Sequence, residues 1–316
     1  YSVTSATANI ASGCITSPAG ASATQMTRMI GWNSVRGDGG TKPLLQASGA
    51  ITTFVLVTVA ANGHVENVVV DGVAKTSSRG ILGVANQTTV YQCEARNCTN
   101  GGFVNGTCIF CEATACSTAI AMNITFGIAC SSHDNTVTGM QLSNAFACVS
   151  RNNTGASSDG VVQGGSSLHW LGCTSYANGR HGFFTSATGT TIEQQIVNCL
   201  ACNNTGYGYT ATSAVDYLRL YNCAGYNNTS GLVNSAIIAA LGRIGLITLT
   251  ADPFVNAAGN NFALNNNAGG GALLRAAGIP GALAANQLPG LSTLNYLDVG
   301  AVQHHHDTVG FVGMGL

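Results

Sequence analysis

Apolar and small residues alternate around a cysteine that recurs through the middle of the chain. At intervals of 18 to 26 residues it forms what we name the cysteine column, which contains Cys93, Cys111, Cys130, Cys148, Cys173, Cys199 and Cys223. Val70 extends this column one step toward the N-terminus. A large apolar residue stands two positions before each member, and a small residue two positions after it. A period of two is typical of a strand with one buried face, so we expect these positions to point into a core. The residue directly after each cysteine, such as Glu94 or Glu112, is expected to face outward.

A second column, named here the asparagine column, stands five positions after the first. It contains Cys98, Cys116, Asn135, Asn153, Asn178, Asn204 and Asn228. Asparagine tolerates left-handed backbone, so this column predicts a turn after each strand. A glycine and an apolar residue follow, as in Gly182 and Phe183, and begin the next strand. Strand, turn and strand repeating in this way predict a parallel β-solenoid, in which like residues stack at about 4.8 Å along the axis.

The C-terminal sequence carries a further set of motif residues. They are Asp252, Pro253, Phe254, Phe262, Leu264, Asp298, Gly300 and Ala301. Together with the columns, they make the chain resemble right-handed parallel β-helix proteins of the pectate-lyase-like superfamily, particularly bacterial and phage surface proteins with similar C-terminal motifs. The N-terminal stretch TRMIGWNSVRGDGGTKPLL is similar to the first segment of such proteins. The resemblance implies an all-β fold with coils over 61–250 and irregular capping segments at 1–60 and 251–316. The superfamily includes lyases, hydrolases, tailspikes, adhesins and structural fibres, so the fold does not select a function.

Composition narrows the classes of partner. Only 7% of the 316 residues are charged and the net charge is -1, against roughly 25% charged residues in ordinary soluble domains. We therefore expect no nucleic acid partner and no anionic membrane surface as partner. No apolar run reaches the roughly 18 residues of a membrane span. Twelve cysteines are compatible with an oxidising compartment. These features favour an extracellular, virion-surface or cell-surface location and self-assembly into an oligomer or filament.

The cysteines are predicted to be structural. Two C-x-x-C pairs, at Cys108 and Cys199, lack a matching histidine set, so we expect neither a zinc site nor another cofactor. The cysteine column is interpreted as buried thiols that act as small apolar residues. Cys98 and Cys116 stand at the turns of neighbouring coils and are the disulfide candidates. The HHHD sequence at 304–307 has metal-ligand residue types, but successive residues of an extended chain point to opposite sides, which favours an exposed tail.

N-glycosylation sequons are frequent along the chain. They occur at Asn86, Asn97, Asn105, Asn123, Asn152, Asn203, Asn227 and Asn228. Four of them share one position in the repeat, just before the asparagine column, so glycans there would coat one edge of the solenoid and hydrate it. The alternative is that turns rich in asparagine and threonine create sequons by chance. Both interpretations stay open.

A polar strip upstream of the later cysteines is the candidate for catalysis. His169 and Arg219 stand four positions before the cysteine column, and Glu193 and Asp216 lie near the sixth position before it. On stacked coils the two carboxylates are candidates for an acid and a base acting on a sugar, with His169 or Arg219 assisting. The alternative is an ordinary solvated face.

Two functions therefore compete. The first is an extracellular structural β-solenoid, a subunit of a fibre, filament or surface appendage. The second is a tailspike-like protein that binds or cleaves polysaccharide. Acids are few and scattered and there are only two tryptophans, whereas sugar-binding enzymes of this architecture need paired acids and exposed aromatic rings. The sequence thus favours the structural function and no enzymatic activity.

Overall fold

A computed structural model describes most of the chain. It covers residues 2–3, 8–10, 15–17, 19–22, 25–32, 41–47, 54–75, 78–84, 87–165, 168–186, 194–212, 218–234, 237, 243–275, 277–278 and 298–302. Within these ranges the chain winds around one axis, and each coil contributes one strand to each of three parallel sheets. These sheets are named A, B and C in the order in which each coil visits them.

The strands are short, and those of one sheet recur once per coil. Sheet A contains Ser2–Val3, Thr27–Gly31, Gly63–Glu66, Thr89–Tyr91, Thr107–Ile109, Phe126–Ile128, Asn144–Phe146, His169–Leu171, Gln194–Val197, Leu218–Tyr221 and Arg243–Ile244. Sheet B contains Ala8–Ile10, Leu44–Ala47, Val69–Asp71, Glu94–Arg96, Glu112–Thr114, Ser131–His133, Val149–Arg151, Thr174–Tyr176, Leu200–Cys202, Ala224–Tyr226 and Ile247–Thr248. Sheet C contains Ile15–Thr16, Phe54–Val59, Ser78–Gly83, Phe103–Val104, Met122–Asn123, Met140–Leu142, Val161–Gln163, Phe183–Thr185, Tyr207–Ala211 and Gly231–Val233.

Each strand pairs in parallel with the strand of the same sheet in the next coil. Ala95 lies opposite Ala113, and Ala113 opposite Ser132, so like positions of the repeat stack along the axis. The predicted right-handed parallel β-helix is confirmed. Strands before residue 61 belong to the same three sheets, and the predicted boundaries at 60 and 250 stay predictions. Among the described residues no helix has the length and apolar character needed to span a membrane.

Sharp corners join sheet A to sheet B. From Asn67 to Gly245, each has one residue in the left-handed region, with φ between 47° and 67°, directly before the cysteine position: Asn67, Gln92, Phe110, Ala129, Ala147, Gly172, Asn198, Asn222 and Gly245. The left-handed residue ends the sheet A strand, so the cysteines lie in the corners and not within strands. Their thiols are buried and hydrogen-bond to backbone carbonyls, as Cys111 does to Val90 O at 3.4 Å.

The corner corrects the predicted alternation. The large apolar residues two positions before the cysteines point outward and stay partly exposed, whereas residues three positions before them, such as Val90 and Trp170, are buried. A left-handed residue turns the chain, so the period of two does not continue across it. Beyond the corner the prediction holds, because the small residues from Ala95 to Gly225 are buried.

The position assigned to Val70 was also wrong. Val70 lies opposite Ala95, so it is equivalent to the residue two positions after Cys93. Val68 is the member that precedes Cys93 in the column, and it is fully buried. The pattern of apolar residues alone could not separate these two valines, because both belong to the core.

The second corner, between sheets B and C, corrects the role of the asparagine column. The left-handed residue, with φ between 51° and 57°, stands one position earlier than expected, at Asn97, Ala115, Asp134, Asn152, Ala177, Asn203 and Asn227. The asparagine column follows it and points inward. Asn153 Nδ2 donates to Asn178 Oδ1 at 2.7 Å, and Asn178 Nδ2 donates to Asn204 Oδ1 at 2.9 Å. The column is a buried hydrogen-bonded ladder beside the turn.

The C-terminal segment folds back over the outer face of sheet B. It contains an antiparallel hairpin of Phe254–Asn256 and Asn261–Leu264, with 3-10 turns at Ala257–Gly259 and Gly271–Leu273. Phe254 and Phe262 contact Tyr176 at ring-centroid distances of 5.8 and 5.5 Å. The Ala301 N–H donates to Thr174 Oγ1 at 2.9 Å. This cover buries a second apolar cluster outside the solenoid core.

Candidate functional site

The predicted catalytic strip is only partly within the described chain. His169 lies opposite Gln195, and Gln195 opposite Arg219, so these three side chains form one outward row on sheet A, as their spacing predicts. His169 is exposed and Arg219 half-buried. Glu193 and Asp216 lie outside the described residues, as does the 304–307 tail. The acid and base roles therefore stay predictions.

The outer face of sheet B carries a charged cluster that the sequence reasoning did not identify as a site. At its N-terminal end Arg96 Nε donates to Asp71 Oδ2 at 2.8 Å, and Arg96 Nη1 lies 3.5 Å from Glu94 Oε1. Asp71 also accepts from Asn97 Nδ2 at 3.0 Å and from the Val73 N–H at 2.8 Å. Burial tends to raise the pKa of Asp71, but these hydrogen bonds and the Arg96 charge outweigh it and hold this pKa below its ordinary value.

Two coils further on, His133 bridges two carboxylates. Its Nε2 hydrogen-bonds to Glu112 Oε1, and its Nδ1 lies 2.8 Å from Asp134 Oδ2. Arg151 Nη1 lies 3.6 Å from the same Asp134 oxygen. The hydrogen bond with His133 lowers the pKa of Glu112. Burial tends to raise the pKa of Asp134, yet His133 and Arg151 outweigh it, and this pKa is also lowered.

This geometry limits the chemistry of the cluster. Both ring nitrogens of His133 are engaged with carboxylates, Nε2 with Glu112 and Nδ1 with Asp134. Neither ring nitrogen is left unengaged for a substrate. A general acid of a glycosidase needs a raised pKa, whereas the pKa values of Asp71, Glu112 and Asp134 shift downward. The cluster is built as a mutually satisfied ion-pair network.

The cluster lies where the C-terminal cover begins. His133 and Arg151 point outward but are only 8% and 3% exposed. Arg151 lies opposite Tyr176 in the next coil, and Tyr176 is the residue on which Phe254 and Phe262 pack. Burial lowers the pKa of Arg151. Sheet B thus changes from charged to apolar along the axis, and the apolar half is covered by the chain itself.

A groove runs along the sheet C side, beneath the loops that join sheets B and C. It has a volume of about 640 Å³, and its walls include Arg79, Asn123, Thr118–Ile120, Thr136–Thr138 and Gly155–Ser158. None of its lining residues is an acid. The lining combines hydroxyl and amide side chains with apolar ones such as Val104, Ile120 and Val137, so a bound molecule would contact both kinds of surface.

A stack of rings continues the groove along the axis. The Arg180 N–H donates to the carbonyl of Ser158, a groove residue, at 2.9 Å. His181 stacks on Phe184 and on Tyr207 at ring-centroid distances of 6.1 and 6.0 Å. The Arg180 guanidinium lies 5.1 Å from the Phe184 ring centroid. All four side chains are partly exposed.

A buried carboxylate fixes this arrangement. Asp159 is 1% exposed and accepts from Arg180 Nε at 2.8 Å, and also from Arg180 Nη2. The Asp159 Oδ1 atom accepts from the His181 N–H at 3.1 Å. The hydrogen bond with Asp159 raises the pKa of Arg180, so the guanidinium is charged and held over Phe184. The sequence signal for this arrangement was the repeat itself, because interacting residues of neighbouring coils, such as Asp159 with Arg180 and His181 with Tyr207, stand 21 to 26 residues apart.

The sequons differ in accessibility. Asn105, Asn123 and Asn227 are exposed, whereas Asn97 and Asn152 are half-buried. Asn203 is half-buried as well and accepts from Asn227 Nδ2 at 2.9 Å. Asn228 is the last rung of the buried ladder, where its Nδ2 donates to Ala201 O at 2.8 Å. Asn86 lies outside the described residues. Glycosylation stays a prediction, and exposure supports it best at Asn105, Asn123 and Asn227.

The disulfide candidates are neighbours. Cys98 and Cys116 are buried, free thiols whose sulfurs hydrogen-bond to each other. This hydrogen bond and burial both raise the pKa of Cys98, whereas at Cys116 the hydrogen bond outweighs burial and lowers the pKa. Their oxidation stays a prediction. Among the described residues, no group of three or more histidine, cysteine or acidic side chains could hold a metal ion.

Comparison with known proteins supports the fold. No protein-family model matches the sequence, and no curated protein matches it. A solved structure of ORF18 from Geobacillus virus E2 is similar, with a TM-score of 0.51 and 12% identity over 78% of this chain. The match covers 51% of the viral chain, so this chain spans about half its length. The A-module of mannuronan C-5 epimerase AlgE4 from Azotobacter vinelandii aligns with 11% identity over 84% of this chain and 77% of the module, with a TM-score of 0.40. At 12% identity the likeness to the viral protein shows the fold alone.

Proposed function

We propose that this protein is a structural β-solenoid, a rod-forming subunit of an extracellular or virion-surface appendage. The observation that carries the proposal is the uninterrupted stacking of the three sheets, with ten strands in sheet C and eleven in each of the others among the described residues. Ten steps of about 4.8 Å make a rod roughly 48 Å long. The interior of five successive coils is tied by the asparagine ladder from Asn135 to Asn228, a rigid and directional device.

The use of charge supports the same function. In a chain with 7% charged residues, the cluster on sheet B directs its carboxylates at Arg96, His133 and Arg151 rather than at a groove. Such a network holds neighbouring coils together on the outside, as the asparagines do on the inside. It leaves no unengaged acid and base pair in the cluster for cleaving a glycosidic bond.

Electron microscopy and a cleavage assay test the proposal together. Negative-stain images of the purified protein are expected to show rods or fibres. Incubation with a panel of neutral and uronate polysaccharides is expected to release neither reducing ends nor unsaturated products. Polysaccharide cleavage that Glu193→Gln or Asp216→Asn abolishes would overturn the structural function.

The second candidate function is polysaccharide binding on the sheet C side. The observation that favours it is the acid-free groove, lined by hydroxyl, amide and apolar side chains, that leads into the Phe184, His181 and Tyr207 stack. Aromatic faces with adjacent hydroxyl and amide groups are suited to sugar rings, which present C–H groups and hydroxyls together. Binding of a soluble polysaccharide that Tyr207→Ala weakens at least tenfold, while Tyr91→Ala on sheet A does not, would support this function. If the unmodified protein binds no polysaccharide of the panel, this second function is refuted.

A further inference from the structure

The outer face of sheet A carries a continuous apolar row, named here the sheet A stripe. It stands two positions before the cysteine position, and strand register stacks Tyr91, Ile109, Ile128, Phe146, Leu171, Val197, Tyr221 and Ile244. All keep part of their surface exposed, and Ile244 is 51% exposed. Seven steps of about 4.8 Å make the stripe about 34 Å long.

The surroundings of the stripe are also uncharged. Phe126 packs on Phe146 at a ring-centroid distance of 5.3 Å, and Phe110 packs edge-on against Tyr91 at 5.7 Å. From the coil after Glu66 up to Arg219, the two outward rows of sheet A contain no Asp, Glu, Lys or Arg. The neighbouring outward row on the same strands is mostly polar, with Thr89, Thr107, Asn144, His169 and Gln195. The stripe and its flanking rows together measure about 34 Å by 20 Å, roughly 700 Å², with an apolar centre and a polar margin.

We propose that the sheet A stripe is the lateral interface between two copies of this chain, packed side by side. The proposal rests on the structural function above and names its partner. A second copy fits because it offers a stripe of the same length and the same repeat, so side chains interdigitate coil by coil along the whole contact. The roughly 700 Å² of the stripe and its flanking rows is close to the roughly 800 Å² per partner of a stable interface, in which an apolar centre with a polar margin is usual. A net charge of -1 gives little repulsion between copies.

The mass of the purified full chain in solution tests the interface. Light scattering during size exclusion is expected to give a multiple of the 32.0 kDa chain mass. Ile128→Asp places a charge in the middle of the stripe and is expected to reduce the mass to one chain at the same concentration. Val162→Asp is the matched control, since Val162 is a half-buried outward residue on sheet C, and it is expected to keep the wild-type mass. Circular dichroism verifies that both variants fold.

Cysteine cross-linking tests the geometry. The eleven described cysteines are buried, so in a Cys14→Ser background an added surface thiol is the reactive one. Ile109→Cys is expected to form a disulfide with itself between copies if their axes run parallel. If the axes run opposite, a mixture of Ile109→Cys and Tyr221→Cys chains cross-links instead, because each of these positions is second from one end of the stripe. Either product supports the stripe as the interface.

Three outcomes would overturn the proposal. One is a wild-type mass of a single chain at about 100 µM, well above the Kd expected of an interface of this size. Another is an oligomer that Ile128→Asp leaves unchanged and in which neither cysteine pair cross-links. If such an oligomer still forms rods in electron micrographs, the lateral interface is refuted but the structural function is not, because end-to-end contacts would then join the subunits. Cross-linking at Val162→Cys on sheet C in place of the stripe would also overturn it.

Discussion

Replacing Asn178 with alanine removes one rung from the middle of the buried ladder. Asn178 is 1% exposed. Its Oδ1 accepts from Asn153 Nδ2 at 2.7 Å and from the Asn153 backbone N–H at 3.3 Å, while its Nδ2 donates to Asn204 Oδ1 at 2.9 Å and to Ser175 Oγ at 2.9 Å. The substitution keeps the backbone in place but interrupts the ladder over two coils.

The expected loss follows from these contacts. Two amide–amide hydrogen bonds disappear, at about 1 kcal/mol each, and the buried Asn153 N–H is left without its acceptor at a further cost of about 1 kcal/mol or more. We therefore expect Asn178→Ala to lower the free energy of unfolding by about 3 kcal/mol. Asn178→Asp fills the same space but sets a carboxylate oxygen against Asn204 Oδ1, so it is expected to destabilise the protein at neutral pH and to recover as acid protonates the new group.

Urea unfolding monitored by circular dichroism measures the loss. Asn123→Ala is the control, because Asn123 is an exposed asparagine on sheet C, and it is expected to change stability by less than about 0.5 kcal/mol. Hydrogen exchange of the Asn153 amide should accelerate in Asn178→Ala. A loss no greater than that of the control, or an unchanged exchange rate at Asn153, would refute the ladder as a source of stability.

Three further predictions concern the asparagine ladder, the charged cluster on sheet B and the C-terminal cover. Gly160→Ala should destabilise by about 1–3 kcal/mol in urea unfolding, because a Cβ there would lie 2.7 Å from Asn178 Nδ2 and from a backbone carbonyl. The pKa of Glu112 lies below its ordinary value of 4.5, so its pair with His133 stabilises the fold above pH 4.5, and this stability is lost as the pH falls through the folded pKa. Glu112→Gln should therefore flatten the acidic part of a curve of unfolding free energy against pH. A curve that Glu112→Gln leaves unchanged would contradict a stabilising pair. Phe262→Ala removes a ring buried to 3% exposure and should accelerate hydrogen exchange in the C-terminal hairpin while leaving the amides of sheet C protected, whereas uniform acceleration would argue against a separate cover.

The sequence predicted the coil but not its corners. The recurrence of cysteine and asparagine at fixed positions was sufficient to predict a parallel solenoid, because equivalent residues of successive coils contact each other only when the coils stack in register. The corners were missed because Gln92, Phe110 and Ala129 take left-handed backbone, and their residue types do not favour it. Tertiary stacking imposes that conformation, so the period of two was extended across the corner and the stripe was assigned to the core.

The charged cluster was missed for a different reason. Glu112 and His133 are 21 residues apart and their contact depends on register between coils, which the variable coil length conceals. The positions within the repeat were nevertheless visible in the sequence. Glu94 and Glu112 occupy the same outward position of successive coils, and His133 and Arg151 occupy another outward position. Contacts with the C-terminal cover, such as Ala301 with Thr174 at a separation of 127 residues, have no local signal.

The three faces of the solenoid differ in how their outward residues are satisfied, and this difference bears on function. Sheet B satisfies its own face, by ion pairs around His133 and by the hairpin that packs on Tyr176. Sheet C presents the groove and the ring stack, which solvent or a sugar can satisfy. Sheet A presents the stripe, one continuous apolar row beside a mostly polar row. A free monomer would expose the stripe at a cost of about 25 cal/mol per Å², and this cost is the driving force for the lateral interface proposed above.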